Sequence, residues 1–340
     1  MPAVTGDARG LRGAWEWALR GRRRTRRPAT ALIAWPLATA AVLLAILRVA
    51  GLEQGLRLVQ LTAFVPYLTV ACAVATIAVV LTRRPVASAV ASVAVIALAA
   101  CLLPRALGSP APDSGTPLVV MAMNMRLGGA DAESIVDLVR EAGVDVLAVQ
   151  EITPRAEAAL LAAGLGETMP FQEIHLELGA AGSAIFSRLP FSDSGMRKAS
   201  EPGFNQAYAT VTLGNGTSVT VESVHPVAPI EQVDRWLTGL RNQIPGDAPG
   251  PPRILAGDFN ATLDHRALRD LLATGYRDAA DAVGAGFTPT WPFYGRRSAV
   301  TPRIAIDHIL VPDGIGVRDF RAVTVARTDH RAIIATLTVG

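Results

Sequence analysis

Arg253-Ile254-Leu255-Ala256-Gly257-Asp258-Phe259-Asn260 runs from an apolar strand directly into a carboxylate and a carboxamide. A buried carboxylate is costly unless a partner or a cation meets it, so a strand that ends this way points to a site. The same pattern recurs. Asn124 follows Val119-Val120-Met121-Ala122-Met123, and Gln150 with Glu151 follows Val144 to Val149. Asp307 and His308 sit inside Ile304 to Leu310, and Asp329 with His330 precedes the last apolar run. Ligand sites in α/β sheets gather at strand ends, so these five places are expected to converge. They offer oxygen and imidazole, a donor set suited to Mg²⁺, Mn²⁺ or Ca²⁺.

Strands and helices alternate between these points. Leu118 to Met123 and Val144 to Val149 read as buried strands, with Ala184 to Ser187 as another. Ala207 to Leu213 and Ser218 to Ser223 flank Gly214-Asn215-Gly216, a hairpin signal. Helices are predicted from the cap residue Asp131 to Ala142, from Thr153-Pro154, from Ile230 to Gln243 and from His265 to Ala273. Apolar runs from Ile304 to Val311 and from Ala332 to Val339 close the chain. The alternation predicts a mixed α/β domain with helices outside packed sheets.

Charge and hydropathy divide the 340 residues near Pro104. Up to that residue 12 arginines face 3 acids, a balance of +9, whereas from Arg105 onward 20 Lys and Arg face 26 acids, a balance of −6. The domain is acidic and lacks the basic stripe of a strong duplex binder. Cys72 and Cys101 both lie in apolar runs, so the domain has no thiol for a disulfide, a zinc cluster or a nucleophile.

Three apolar runs, Ala29 to Leu47, Leu58 to Leu81 and Val86 to Leu103, approach the roughly 20 residues that cross a bilayer core as a helix. Pro36 and Pro66 are expected kinks. Arg20, Arg22, Arg23, Arg24, Arg26 and Arg27 precede the first run, and Arg83 with Arg84 joins the second to the third. Basic residues favour the cytoplasmic side. The expected organisation is therefore a basic cytoplasmic tail (1–28), three transmembrane helices (29–104), a linker (105–117) and an extracytoplasmic domain (118–340).

From Leu118 to Val339 the sequence resembles the endonuclease/exonuclease/phosphatase (deoxyribonuclease I-like) family, as a membrane-anchored bacterial-type member. The resemblance rests on Met123-Asn124-Met125-Arg126, Val149-Gln150-Glu151, Gly182-Ser183-Ala184-Ile185-Phe186-Ser187-Arg188, His225-Pro226, Gly257-Asp258-Phe259-Asn260, Ile306-Asp307-His308-Ile309-Leu310 and Thr328-Asp329-His330, in the family's order. It implies a four-layered sandwich of two packed mixed β-sheets flanked by helices. It also implies Glu151 as the principal ligand of Mg²⁺ or Mn²⁺, with Ca²⁺ an alternative, Asn124 beside it and Asp329 completing the coordination. Asp258 and Asn260 would orient the attacking water and hold the phosphate, Asp307 would pair with His330, and His225 would contact the phosphate or protonate the leaving oxygen. Which histidine is acid and which is base stays open.

Arg126 and Arg303 are expected to meet the anionic substrate, and Trp291 and Phe293 to pack their loop. His308 should point away from Asp307 across its strand, in a structural role, and His175 and His265 fit no motif. The activity expected is metal-dependent hydrolysis of a phosphoester, nuclease-type first, lipid-headgroup or small-molecule phosphoesterase second, with an inactive phospho-ligand-binding domain as a further alternative. The expected partners are the phosphoester substrate and the lipid bilayer, with no protein partner. Protease added outside intact cells is expected to release the domain, and full protection would contradict the topology.

Overall fold

The computed structural model describes residues 27–109, 114–230 and 232–340. The basic tail therefore lies outside the described residues as far as residue 26, as does part of the expected linker. Two compact units form, one from the chain up to Val49 with Pro66–Cys101, the other from Ala50–Val65 with Leu102–Gly340.

Among the described residues the first unit holds three apolar helices, α1 (Arg27–Ala50), α3 (Val65–Leu81) and α4 (Pro85–Leu102), α2 being the short helix Leu56–Thr62 of the other unit. Ala34, Ala38, Val79, Ala87 and Ala91 bury one another along a seam of small side chains. Among the described residues two helices are long and apolar enough to cross a membrane, Thr30–Ala50 and Pro85–Leu102, and a third only if α2 and α3 count as one broken span. The run expected as a single helix from Leu58 to Leu81 thus breaks after Thr62. Pro66, in the first turn of α3, has no N–H to return to residue 62, so the proline starts a helix there rather than continuing one. Pro36, by contrast, stands inside an uninterrupted α1.

The second unit contains two six-stranded mixed sheets. One is ordered β11 (Ile315–Thr324), β12 (Arg331–Val339), β1 (Thr116–Asn124), β2 (Val146–Gln150), β4 (Ser183–Ser187), β3 (Phe171–His175). The other is ordered β5 (Phe191–Arg197), β6 (Gln206–Thr212), β7 (Ser218–Val224), β8 (Arg253–Asp258), β10 (Asp307–Pro312), β9 (Tyr276–Asp278). Side chains alternate across a strand, and the cores follow that period. Val120, Ala122, Val146, Ala148 and Ile185 meet Ala207, Val221, Ile254, Ala256 and Ile309 between the sheets. Met121, Met123, Leu147 and Val149 face the other way, in a cluster shared with α5 (Ala132–Ala142) and α6 (Pro154–Ala162).

Both helix starts are capped as the sequence predicts. Asp131 accepts from the Ser134 amide and Thr153 from the Ala156 amide, each filling an N–H that the first helical turn leaves open. On the far face of the second sheet, α7 (Val233–Arg241) and α8 (Arg266–Leu272) bury Trp236, Leu240, Leu268 and Leu271 against Leu255, Phe259 and Leu310. The helix expected from Ile230 begins later, at Val233.

Parallel pairing of β1 with β2 and of β7 with β8 aligns their C-terminal ends, with Asn124 opposite Gln150 and Val224 opposite Gly257. β10 runs antiparallel to β8 and sets Asp307 opposite Asp258. The polar residues of both sheets therefore lie at one end of the sandwich. Trp236, with no exposed surface, fills the centre of the α7 and α8 layer. Its replacement by Ala is expected to cost about 3–5 kcal/mol, read by chemical denaturation of the full chain in detergent.

Candidate active site

Asn124 joins the two sheets. Its Nδ2 donates at 3.0 Å to Glu151 Oε1, just past β2 of its own sheet, and at 3.0 Å to Asp258 Oδ2, the last residue of β8 in the other. The amide orientation is fixed by Oδ1, which accepts from the Arg126 amide at 2.8 Å. Glu151 Oε2 accepts from the Leu127 amide at 2.6 Å, and Asp258 Oδ1 from the Asn260 amide at 2.8 Å. Asn260 in turn donates its side-chain amide to the Pro226 carbonyl at 3.1 Å.

Two imidazoles close on Asp258. His225 Nε2 lies 3.7 Å and His330 Nε2 3.7 Å from Asp258 Oδ2, and His225 Nε2 is 3.8 Å from Glu151 Oε1. His330 Nδ1 sits 3.0 Å from each oxygen of Asp307. Two threonines given no role from the sequence, Thr328 within a motif and Thr290 outside any, hold this pair. Thr290 Oγ1 accepts from the Asp307 amide at 3.1 Å, while Thr328 Oγ1 accepts from the His330 amide at 3.1 Å and donates to the Asn124 carbonyl at 3.0 Å. A threonine in a loop carries no signal of such a role. Neighbouring contacts bond the sheets too, Gln150 Nε2 donating to Ser223 Oγ at 2.8 Å.

The structure thus brings Asn124, Glu151, His225, Asp258, Asn260, Asp307 and His330 together. Asp329 is less enclosed and is held by the Trp291 indole N–H at 3.1 Å and by Arg126 Nε at 3.4 Å. Arg126 stacks over Tyr294, and Arg303 is exposed and stacks over Phe293 at 4.3 Å from the ring centre. His308, buried, points to the opposite face of β10, with Nδ1 against Asp278 at 2.8 Å and Nε2 donating to the Ala261 carbonyl at 2.9 Å.

Burial and charge set the protonation states. Burial opposes the His330 cation, but the carboxylates of Asp307 and Asp258 outweigh it and raise its pKa from 6.5 to about 10. Burial and the His330 charge push His225 from 6.5 down to about 3. Burial also raises Asp258, opposed by His330 and reinforced by Asp307, and it raises Glu151 against the hydrogen bonds from Asn124 and Leu127.

Asp258, Asp307 and His330 offer ligand atoms within 4.8 Å of one another. Imidazole nitrogen, however, suits softer ions than carboxylate and carbonyl oxygen do, and His330 Nδ1 faces Asp307. The Glu151 side, with a carboxylate and carboxamide next to the buried Asp258 and no sulfur, suits a hard divalent ion better. Asn124 Nδ2 now supplies the positive dipole between the two carboxylates.

A sandwich of two mixed sheets that collects acids, amides and imidazoles at one end defines a class of α/β hydrolytic domain. The sequence profile of the Endonuclease/Exonuclease/phosphatase family matches residues 121–330, and the chain belongs to that family. Its members act on phosphoester bonds and use divalent metals. The fold is similar to that of a Bacteroides thetaiotaomicron family protein (TM-score 0.52, 17% identity, 67% of this chain and 99% of that one). It is also similar to D. rerio TDP2 complexed with single-strand DNA product (TM-score 0.53, 16% identity, 66% and 100%). A Beutenbergia cavernae endonuclease/exonuclease/phosphatase gives TM-score 0.51 at 18% identity over 66% and 72%. No curated protein sequence matches the chain.

In the metal-free chain at neutral pH, His330 is expected to be a cation and His225 neutral, which ¹⁵N shifts of the two imidazoles would read. The His330 contribution to stability is then complete below its ordinary 6.5 and lost as pH rises through about 10. The His225 contribution is lost as pH falls from 6.5 through about 3. A neutral His330 at pH 7 would contradict the assignment.

Proposed function

We propose that the domain hydrolyses phosphodiester bonds outside the cytoplasm as a metal-dependent, nuclease-type enzyme. The observation that carries the reading is Asn124 Nδ2 bridging Glu151 and Asp258 from opposite sheets, with two histidines 3.7 Å from the same Asp258 oxygen. Glu151 and Asn124 would hold Mg²⁺ or Mn²⁺, with Asp329, fixed by Trp291 and Arg126, completing the acidic side. The bound ion would neutralise charge on the phosphoryl oxygens.

The remaining chemistry belongs to the side chains. Asp258, raised by burial, takes the proton of the attacking water, and Asn260 aligns that water and the phosphate. His330, kept cationic by Asp307, stabilises the charge that develops on the phosphoryl group. His225, neutral, binds a phosphoryl oxygen or the leaving oxygen. Arg126 and Arg303 receive the flanking anionic part of the substrate.

The D. rerio TDP2 structure with single-strand DNA product supports a nucleic-acid substrate for this fold. A second reading, a lipid phosphoester, is favoured by a groove of about 530 Å³ lined by Pro202, Phe204, Val227 and Ile230 together with Gln232 and Arg235. Phe204 packs 4.9 Å from His225, and Ile230 is 54% exposed, so an apolar substituent has a seat beside the site.

The test uses the full chain in detergent against single- and double-stranded DNA, RNA and phospholipid, with Mg²⁺, Mn²⁺ or chelator. Hydrolysis is expected to vanish on chelation and to fall about a hundred- to ten-thousandfold in Glu151→Gln and His330→Ala. Equal inactivity of wild type and variants on every substrate would favour a phospho-ligand-binding domain instead.

A further inference from the structure

The second unit includes a segment that lies between apolar helices in the sequence. Residues Ala50–Val65, joined at one end to α1 and at the other to α3, belong to the same compact unit as the sandwich. Val59 of α2 has no exposed surface and packs in one cluster with Trp236, Phe259, Leu263 and Leu268.

Its carbonyl lies 2.9 Å from His265 Nε2. The tautomer follows from the other ring nitrogen. Nδ1 accepts the Thr262 N–H at 2.8 Å, so the proton sits on Nε2 and is donated to Val59. The buried imidazole stacks edge-on to Trp236, with ring centres 5.1 Å apart. Glu53 also accepts from the Arg266 amide, at the open N-terminal turn of α8.

A second distant segment grips the same turn. Arg105, buried, gives two guanidinium nitrogens to Asp264 at 2.9 and 3.0 Å and one to the Leu263 carbonyl at 3.1 Å. The turn held in this way, Ala261 to Arg266, begins immediately after Asn260. It is tied to the site from its near end as well, since Trp236 Nε1 donates to the Phe259 carbonyl at 3.4 Å and His308 to the Ala261 carbonyl at 2.9 Å.

We infer that residues 50–62 are a strut of the active site, which fixes through His265 the turn that directly follows Asp258 and Asn260. The inference rests on the roles given to Asp258 and Asn260 above. His265 is a positioning residue on this account: it touches no substrate and acts through the turn. The geometry explains why a histidine with no motif of its own is buried five residues beyond Asn260 with both ring nitrogens bonded. It also makes the connection between α1 and α3 a working part of the enzyme, so a domain cut at Arg105 would lack Val59 from its core and the acceptor of the His265 proton.

The experiment compares the full chain in detergent with His265→Leu, which removes the bonds to the Val59 carbonyl and the Thr262 amide, and His265→Gln, whose amide can serve both. Val59→Ala trims the packing and keeps the carbonyl. Hydrogen–deuterium exchange over residues 258–264 is expected to rise about tenfold in His265→Leu, the scale of one lost buried hydrogen bond, with residues 118–124 unchanged. kcat is expected to fall about tenfold on the same scale while KM stays within about twofold. His265→Gln should restore most of both, and Val59→Ala should leave exchange in the turn near wild type.

Unchanged exchange in residues 258–264 of His265→Leu, or a rise spread evenly over both sheets, would overturn the strut. Should His265→Leu fail to fold, His265→Asn, too short to span both partners, reads the same exchange. If the wild type hydrolyses no phosphoester, the proposed function fails by itself and the exchange data still decide the strut.

Discussion

The constraint on which the site end of this domain depends is the bond of one carboxamide to two carboxylates on different sheets. Glu151 and Asp258 lie at strand ends where two apolar layers close, and unpaired acids there would carry a desolvation cost of several kcal/mol. Asn124 Nδ2 meets one oxygen of each at 3.0 Å. Because Asn124 ends β1 and Asp258 ends β8, the bond also fixes how far the two sheets stand apart at that end. Thr328, bonded to the Asn124 carbonyl, carries the constraint on to His330.

The backbone around that bond bends to serve it. Arg126, Leu127, Glu151 and Asn260 have φ of 50°, 56°, 58° and 49°, a left-handed region that side chains other than Gly enter at a cost of about 1–2 kcal/mol. These turns deliver backbone amides to the site: Arg126 to the Asn124 carboxamide oxygen, Leu127 to the Glu151 carboxylate and Asn260 to the Asp258 carboxylate. Gly257 has φ of 152°, and a Cβ there would lie 2.2 Å from the Val224 carbonyl. The glycine that interrupts the apolar run is thus where two strands pass too closely for any side chain.

These details were hidden in the sequence, while the central strands were not. β1, β2, β4, β6, β7, β8, β10 and β12 are buried and apolar, and all eight were legible as runs. The four strands that escaped are β3, β5, β9 and β11, and they are the four sheet edges. Edge strands are bonded on one side and blunted with polar residues, as in Phe-Ser-Asp-Ser-Gly-Met-Arg of β5, so their pattern carries little contrast. The site was legible because acids at the ends of apolar runs contradict burial. The threonines that hold Asp307 and His330 contradict nothing, and neither does the connection at Val59, whose apolar side chains read as membrane span.

The two histidines show what sequence order cannot carry. Both stand 3.7 Å from one Asp258 oxygen, yet His330 has Asp307 behind it and His225 has the Phe204 ring beside it. Against burial, the carboxylate raises the pKa of His330, whereas burial and the His330 charge lower that of His225, so the same residue type is held in two protonation states at one point. The net charge of the domain misleads for a related reason. An acidic surface acts at long range and is screened within about 8 Å at physiological salt. Near the site, Arg126, Arg297, Arg303 and Arg331 lie over the rings of Tyr294, Trp291 and Phe293. An aromatic face orients a guanidinium without neutralising it. Arg126 is also paired with Asp329 and Arg331 is bonded to the Pro289 carbonyl, so the cluster is a local arrangement of charge, and the balance of −6 that argues against a duplex-wide basic surface does not describe it.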